Sequence, residues 1–240
     1  MNGKEFKSHV EMLKINSEQF MVYLPCVELQ SNPNIGVTAA IIWLHGLGAD
    51  GNDFVPVAKQ LKLPPESNIR FVFPHAPEIP VTINNGYVMP AWYDIFELSL
   101  DRKVDVDQLR ASAKQTRDLI DREIERGVSS ENIFVAGFSQ GGAVAYEAAL
   151  TYPKPLGGLL TLSTYFATHE SIVENTANKN IPILIQHGTE DSVVPEVLGQ
   201  RAYKQLSDRG YKVKYQTYKM EHTLCMEQLN DISGWLLERF

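Results

Sequence analysis

Ser139, at the centre of Gly137-Phe138-Ser139-Gln140-Gly141-Gly142, is the leading candidate nucleophile of this chain. A serine hydroxyl attacks a carbonyl only when a base takes its proton and a third group fixes the tautomer of that base. His169, His187 and His222 are the histidines that follow Ser139. Where Gly-x-Ser-x-Gly makes a strand-to-helix elbow, the partners follow the serine in the order acid, then histidine. His222 fits as base, and Asp191 or its neighbour Glu190, in His187-Gly188-Thr189-Glu190-Asp191, fits as acid. The tetrahedral oxyanion would need donors worth about 3 kcal/mol each. The amide of Gln140, next after the nucleophile, supplies one. The amide of Leu47, in His45-Gly46-Leu47-Gly48, supplies the other. That glycine-rich loop lacks the Lys-Ser/Thr ending of a phosphate-binding loop. Cys225 has no elbow and is expected to pack inertly. The chemistry indicated is acyl transfer through a covalent serine intermediate.

These side chains must be carried by a strand–turn–helix framework. Asn132-Ile133-Phe134-Val135-Ala136 reads as a buried strand, and residues 143–150 as a helix. The turn between them strains the serine backbone and demands flanking residues without a Cβ. Further strands are expected at 20–24, 39–44, 69–73, 158–162, 181–186 and 213–218, several as unbroken apolar runs. Helices are expected at 105–126, stopped by Gly127, at 196–209, and at 226–240. Asp191 and Glu190 then follow one strand, and His222 lies between the last strand and the last helix. The alternation predicts an α/β fold: a doubly wound, mostly parallel sheet with helices on both faces, in one domain spanning 1–240. Residues 74–101 break the rhythm as a long irregular segment rich in proline and aromatic side chains. They are expected to form a substrate groove or lid, with Trp92, Tyr93 and Met89 as binding residues.

Bulk composition narrows the partners. The chain has 240 residues, net charge −7 and a hydrophobic content of 44%, and no basic cluster, which argues against nucleic acid. No apolar run reaches the roughly 18 residues of a membrane span, and residues 1–20 lack a signal-peptide core. Two cysteines, Cys26 and Cys225, suit a reducing compartment and predict a cytoplasmic protein. The histidines show no metal-ligand spacing, so neither metal nor other cofactor is expected.

From about Ala39 onward the chain resembles the acyl-protein thioesterase/carboxylesterase (phospholipase/carboxylesterase) family of α/β-hydrolases. The residues that carry the resemblance are Trp43-Leu44-His45-Gly46-Leu47-Gly48, Phe73-Pro74-His75-Ala76-Pro77, Pro80-Val81-Thr82-Ile83-Asn84 and Ala91-Trp92-Tyr93-Asp94, followed by the Ser139 motif, His187 to Asp191 with Val194-Pro195, and Met220-Glu221-His222. The resemblance implies an α/β-hydrolase fold and favours Asp191 over Glu190 as the acid. It also implies Ser139 as nucleophile, His222 as base, and Leu47 and Gln140 as oxyanion donors. The expected substrates are small esters, lipids or acylated proteins, with lysophospholipase action as a variant on the leaving group. A catalytically silent binding protein on the same fold is the rival from another class. Lys219 stands where relatives often have glycine, and residues 1–20 find no counterpart and take no role.

Overall fold

A computed structural model describes residues 23–64 and 66–240. Its frame is a seven-stranded sheet, ordered β1-β3-β2-β8-β9-β10-β11. The strands are β1 (Cys26–Gln30), β2 (Ala39–Leu44), β3 (Ile69–Pro74), β8 (Ile133–Phe138), β9 (Gly158–Leu162), β10 (Ile183–Gly188) and β11 (Val213–Tyr218). β1 runs antiparallel to β3 at one edge; the remaining pairs are parallel. The strand expected at 20–24 is displaced: residues 20–22 lie outside the described residues, Tyr23 and Leu24 are irregular, and the strand begins at Cys26.

Period-two alternation along the buried strands splits the core in two. Ala40, Ile42 and Leu44 of β2 face helices α2 (Val106–Glu125), α3 (Gln140–Leu150) and α4 (Glu196–Asp208). Ala39, Ile41 and Trp43 face the other way, with Phe54 beside the short α1 (Val55–Ala58) and with Leu229, Ile232 and Trp235 of α5 (Met226–Leu237). α2 starts where the Asp105 carboxylate accepts from the Gln108 amide at 2.9 Å and stops at Gly127, whose φ is +94°. Every residue of α3 is buried, which its run of glycine and alanine permits.

Residues 74–101 are more regular than their composition suggested. They hold a small ribbon, β4 (Glu78–Val81) against β5 (Tyr87–Pro90), and the first strand of a second ribbon, β6 (Ile95–Glu97) against β7 (Lys103–Val104). Asn85 and Gly86 close the 82–86 loop of the first ribbon with φ of 55° and 75°, left-handed values that asparagine and glycine tolerate. The Asp94 carboxylate then ties that turn down, accepting from the Thr82 amide at 2.7 Å and the Thr82 hydroxyl at 2.6 Å.

Behind the sheet edge lies a buried ionic cluster. Arg70 of β3 reaches Glu123 of α2 at 2.6 Å, and the Glu123 side chain is 0% exposed. Arg122 and Arg126 bridge Glu123 to Glu28 of β1 at 2.8–3.1 Å. Removing one partner from such a cluster strands a desolvated charge. Glu123→Ala should therefore cost about 3–5 kcal/mol in urea unfolding; a loss below about 1 kcal/mol would mean the arginines find water when left alone.

Candidate active site

The carboxyl ends of β2, β8, β10 and β11 point to one edge of the sheet, so the loops that follow them converge. The chain winds outward from β2 to β3 and then from β8 toward β11, which makes the β2/β8 junction the switch point where open α/β sheets form crevices. Leu47 follows β2 and Ser139 follows β8, on either side of that junction.

Ser139 sits at φ 54°, ψ −122°, a conformation L-residues avoid. Its amide donates to the Leu162 carbonyl at 2.9 Å, and its own carbonyl accepts from the Gly142 amide at 3.0 Å and the Thr164 hydroxyl at 2.6 Å. The glycines beside it are demanded by contact. A Cβ on Gly137 would stand 2.4 Å from the Gly141 carbonyl oxygen, and one on Gly141 would stand 2.5 Å from that of His45. The elbow thus packs backbone on backbone.

His222 Nε2 lies 3.0 Å from Ser139 Oγ, and His222 Nδ1 lies 2.7 Å from Asp191 Oδ2. The other Asp191 oxygen accepts from the amides of Val193 and Val194 at 2.9 and 2.7 Å. Burial opposes the charge on Asp191, but the bonds from His222 and the Val194 amide outweigh it and hold the carboxyl below its ordinary value. Glu190, the alternative acid, is exposed and turns toward Lys219 at 3.9 Å. The amides of Leu47 and Gln140 make no hydrogen bond among the described residues, although both border the cleft that holds Ser139 and His222. Unpaired donors beside a candidate nucleophile are what a developing oxyanion would need.

Two other histidines shape these loops. His45 Nε2 accepts from the Ala76 amide at 3.1 Å, so its Nδ1 carries the proton donated to the Gly46 carbonyl at 2.7 Å. His187 Nε2 donates to the Val194 carbonyl at 2.7 Å, bracing the acid loop. Burial lowers the pKa of both rings and favours their neutral forms.

The cleft itself has a volume of about 340 Å³, with Leu47, Ile83, Ile95, Leu98, Phe138 and Val193 among its apolar walls. Here the sequence expectation needs correction. Trp92 and Tyr93 do not line it: they are 1% and 0% exposed. The Trp92 indole donates to the His45 carbonyl at 2.8 Å, and the Tyr93 hydroxyl pairs with that of Tyr165 at 2.8 Å. Tryptophan and tyrosine bury readily when the polar atom finds a partner, and both do. Met89 does not line the cleft either; its sulfur accepts from Nδ2 of Asn84, which does, at 3.3 Å. The sequence reading also missed the Gln140 side chain, which accepts from the Trp92 amide at 2.8 Å and donates to the Tyr93 carbonyl at 2.6 Å. It clamps the segment before β6 onto the elbow. Ile83 and Leu98 lie inside the expected groove segment; Arg102 falls one residue beyond it in the same ribbon turn, and Val193 approaches from the loop after Asp191. Among the described residues no group of three or more His, Cys, Asp or Glu is arranged to hold a metal ion.

A mostly parallel sheet with a strained serine elbow, followed in order by acid and histidine, defines an α/β-hydrolase. Residues 27–238 match the Phospholipase/Carboxylesterase family. The chain is 36% identical over 231 residues to acyl-protein thioesterase 1 of Cryptococcus neoformans, covering 88% of this chain and 96% of that protein. It is 37% identical over 204 residues to the carboxylesterase SOBER1 of Arabidopsis thaliana, covering 83% of this chain and 90% of that one. The crystal structure of SOBER1 superposes with a TM-score of 0.79 at 35% identity, over 85% of this chain and 99% of that chain. Acyl-protein thioesterase 2 of Zea mays superposes at 0.78 and 27% identity, over 90% of this chain and 99% of that chain. The chain belongs to the phospholipase/carboxylesterase family of α/β-hydrolases.

Because Trp92 braces the loop that carries Leu47 and does not itself line the cleft, its loss should not depend on substrate length. Trp92→Ala should destabilise the fold by about 3–5 kcal/mol. The milder Trp92→Phe should lower kcat/KM on acetyl and octanoyl esters by the same factor. A loss concentrated on the octanoyl ester would return Trp92 to the acyl site.

Proposed function

We infer that the chain hydrolyses carboxylic esters or thioesters, and we propose that it does so through Ser139, His222 and Asp191. The observation that carries the mechanism is the continuous path Ser139 Oγ–His222–Asp191, with links of 3.0 and 2.7 Å. Asp191 accepts the Nδ1 proton of the imidazole, which leaves Nε2 free to take the hydroxyl proton of Ser139. Ser139 Oγ then bonds to the substrate carbonyl carbon, and the amides of Leu47 and Gln140 receive the oxyanion. As the tetrahedral intermediate collapses, the bond to the alcohol or thiol breaks and His222 protonates the leaving group. Water, deprotonated by His222 in turn, releases the acid from the acyl-enzyme.

The candidate substrates are small esters, lysophospholipids and acylated proteins, one machinery serving all three because only the leaving group changes. Naming of the relatives as thioesterases and a carboxylesterase supports the ester and acylated-protein members of this range. We propose a single domain for the chain. Among the described residues no helix is long and apolar enough to cross a membrane, and both cysteines are free; a cytoplasmic site of action suits the free thiols. The reading of a silent binding protein has less support, since such a protein gains nothing from two unpaired amides held beside an activated serine.

Ser139→Ala should keep its fold by circular dichroism, lose labelling by a fluorophosphonate probe, and lose about 10⁴-fold or more in turnover. Undiminished labelling would remove Ser139 from the role of nucleophile. Asp191→Asn should damage kcat far more than Glu190→Gln, because only Asp191 faces the imidazole and sets its tautomer. The reverse order in steady-state assays would assign the acid to Glu190.

A further inference from the structure

The apolar cleft contains one arginine. Arg102, in the turn just before β7, lines it together with Leu98, Tyr165 and Val193. The guanidinium donates to the Val193 carbonyl and lies over the Tyr165 ring, 5.0 Å from its centroid. Carboxylates neutralise most of the arginines: Arg70, Arg110, Arg122, Arg126, Arg201, Arg209 and Arg239 each have one within 4 Å. Among the described residues, none lies within that distance of Arg102. The uncompensated cation therefore stands in the wall of the catalytic cleft.

The opposite charge stands elsewhere in the same cleft. Asp53 lines it on the Ala49 side, where it also borders a hollow walled by Asp50 and Pro56. Arg102 and Tyr165 instead form the partition toward a second hollow, walled by His169 and Arg201. A chain bound to Ser139 thus has an anionic and a cationic direction to choose between. Arg102 borders the same apolar wall as Ile95, Leu98 and Val193, and bonds the Val193 carbonyl. An apolar terminus there would strip water from a charge and offer nothing in return, whereas a carboxylate would accept charge-assisted, even bidentate, hydrogen bonds.

We propose that Arg102 is a specificity-determining residue that binds the carboxylate of an acyl group carrying an anion at its far end, so that half-esters of dicarboxylic acids are preferred acyl donors. This rests on the serine-hydrolase reading above and deepens it. The test compares the p-nitrophenyl monoester of adipic acid with p-nitrophenyl hexanoate, which share a six-carbon acyl group. The ratio of their kcat/KM values, after subtraction of spontaneous hydrolysis, cancels any general loss of activity or folded protein. In the unaltered chain the ratio should exceed one; in Arg102→Gln it should fall about tenfold or more, the loss expected when a charged hydrogen bond is removed. Arg102→Lys should retain part of the preference, since it keeps the charge without the fork. An unchanged ratio in Arg102→Gln, with Ser139→Ala inactive as expected, overturns the assignment of Arg102 alone. Full hydrolysis of both esters by Ser139→Ala overturns the serine reading and this one with it. A parallel pair, the hexanoyl esters of 4-hydroxybenzoate and of phenol, places the charge on the leaving group; a change confined to that pair would overturn the acyl-side assignment.

Discussion

The close approach of backbone to backbone at the Ser139 elbow constrains everything around it. α3 begins so near β2 that Gly141 meets the carbonyls of Leu44 and His45, at distances a Cβ could not tolerate. That proximity aims the first amides of α3 into the crevice at the switch point of the sheet. It also forces Ser139 into its positive-φ conformation, which survives because neighbouring elements over-determine it. β9 contributes the Leu162 carbonyl, the loop beyond it contributes the Thr164 hydroxyl, and α3 contributes the Gly142 amide. Strain at one residue is offset by bonds from three elements.

The remaining loops are organised by the same economy of polar contacts. His45, Trp92 and Gln140 form one linked set: the Trp92 indole holds the His45 carbonyl, and Gln140 holds the backbone of Trp92 and Tyr93. The amide of Gly48 closes the set by donating to the Pro90 carbonyl at 2.8 Å. On the other side, His187 and the paired amides of Val193 and Val194 fix the Asp191 carboxylate. Nearly all of these groups are buried, where an unmet donor or acceptor is costly. The loops that frame the candidate site are therefore held with the precision of the core, which is what positioning a nucleophile within hydrogen-bond reach of its base requires.

Specificity has a different origin from reactivity here. Ser139, Asp191, His222 and the two unpaired amides lie beyond the ends of the central strands, but much of the cleft wall comes from the two small ribbons and from the loop that follows Asp191. Leu98 and Val193 are 54% and 53% exposed, so the rim can change its chemistry without disturbing the sheet. Arg102 belongs to this rim, and its charge is a property of this chain's ribbon rather than of the frame that carries it.

Much of this was legible in the sequence. Near-continuous apolar runs located β2 and β9 at their observed bounds, because a parallel strand covered on both faces is apolar along most of its length. The Gly-x-Ser-x-Gly spacing announced the elbow because it stands between a strand pattern and a helix pattern, the context in which a turn that tight needs glycine on both sides of the serine. Other features depended on through-space neighbours. Whether Asp191 or Glu190 meets the imidazole is decided by which one points inward after β10, and adjacent positions carry nearly the same local signal. The aromatic character of Trp92 and Tyr93 suggested a binding wall, yet such residues serve a core equally well when their polar atoms find partners. The His45 carbonyl and the Tyr165 hydroxyl that claim them lie 47 and 72 residues away. Periodicity and spacing report local geometry and burial; the identity of the partner across such distances is settled only when the chain has folded.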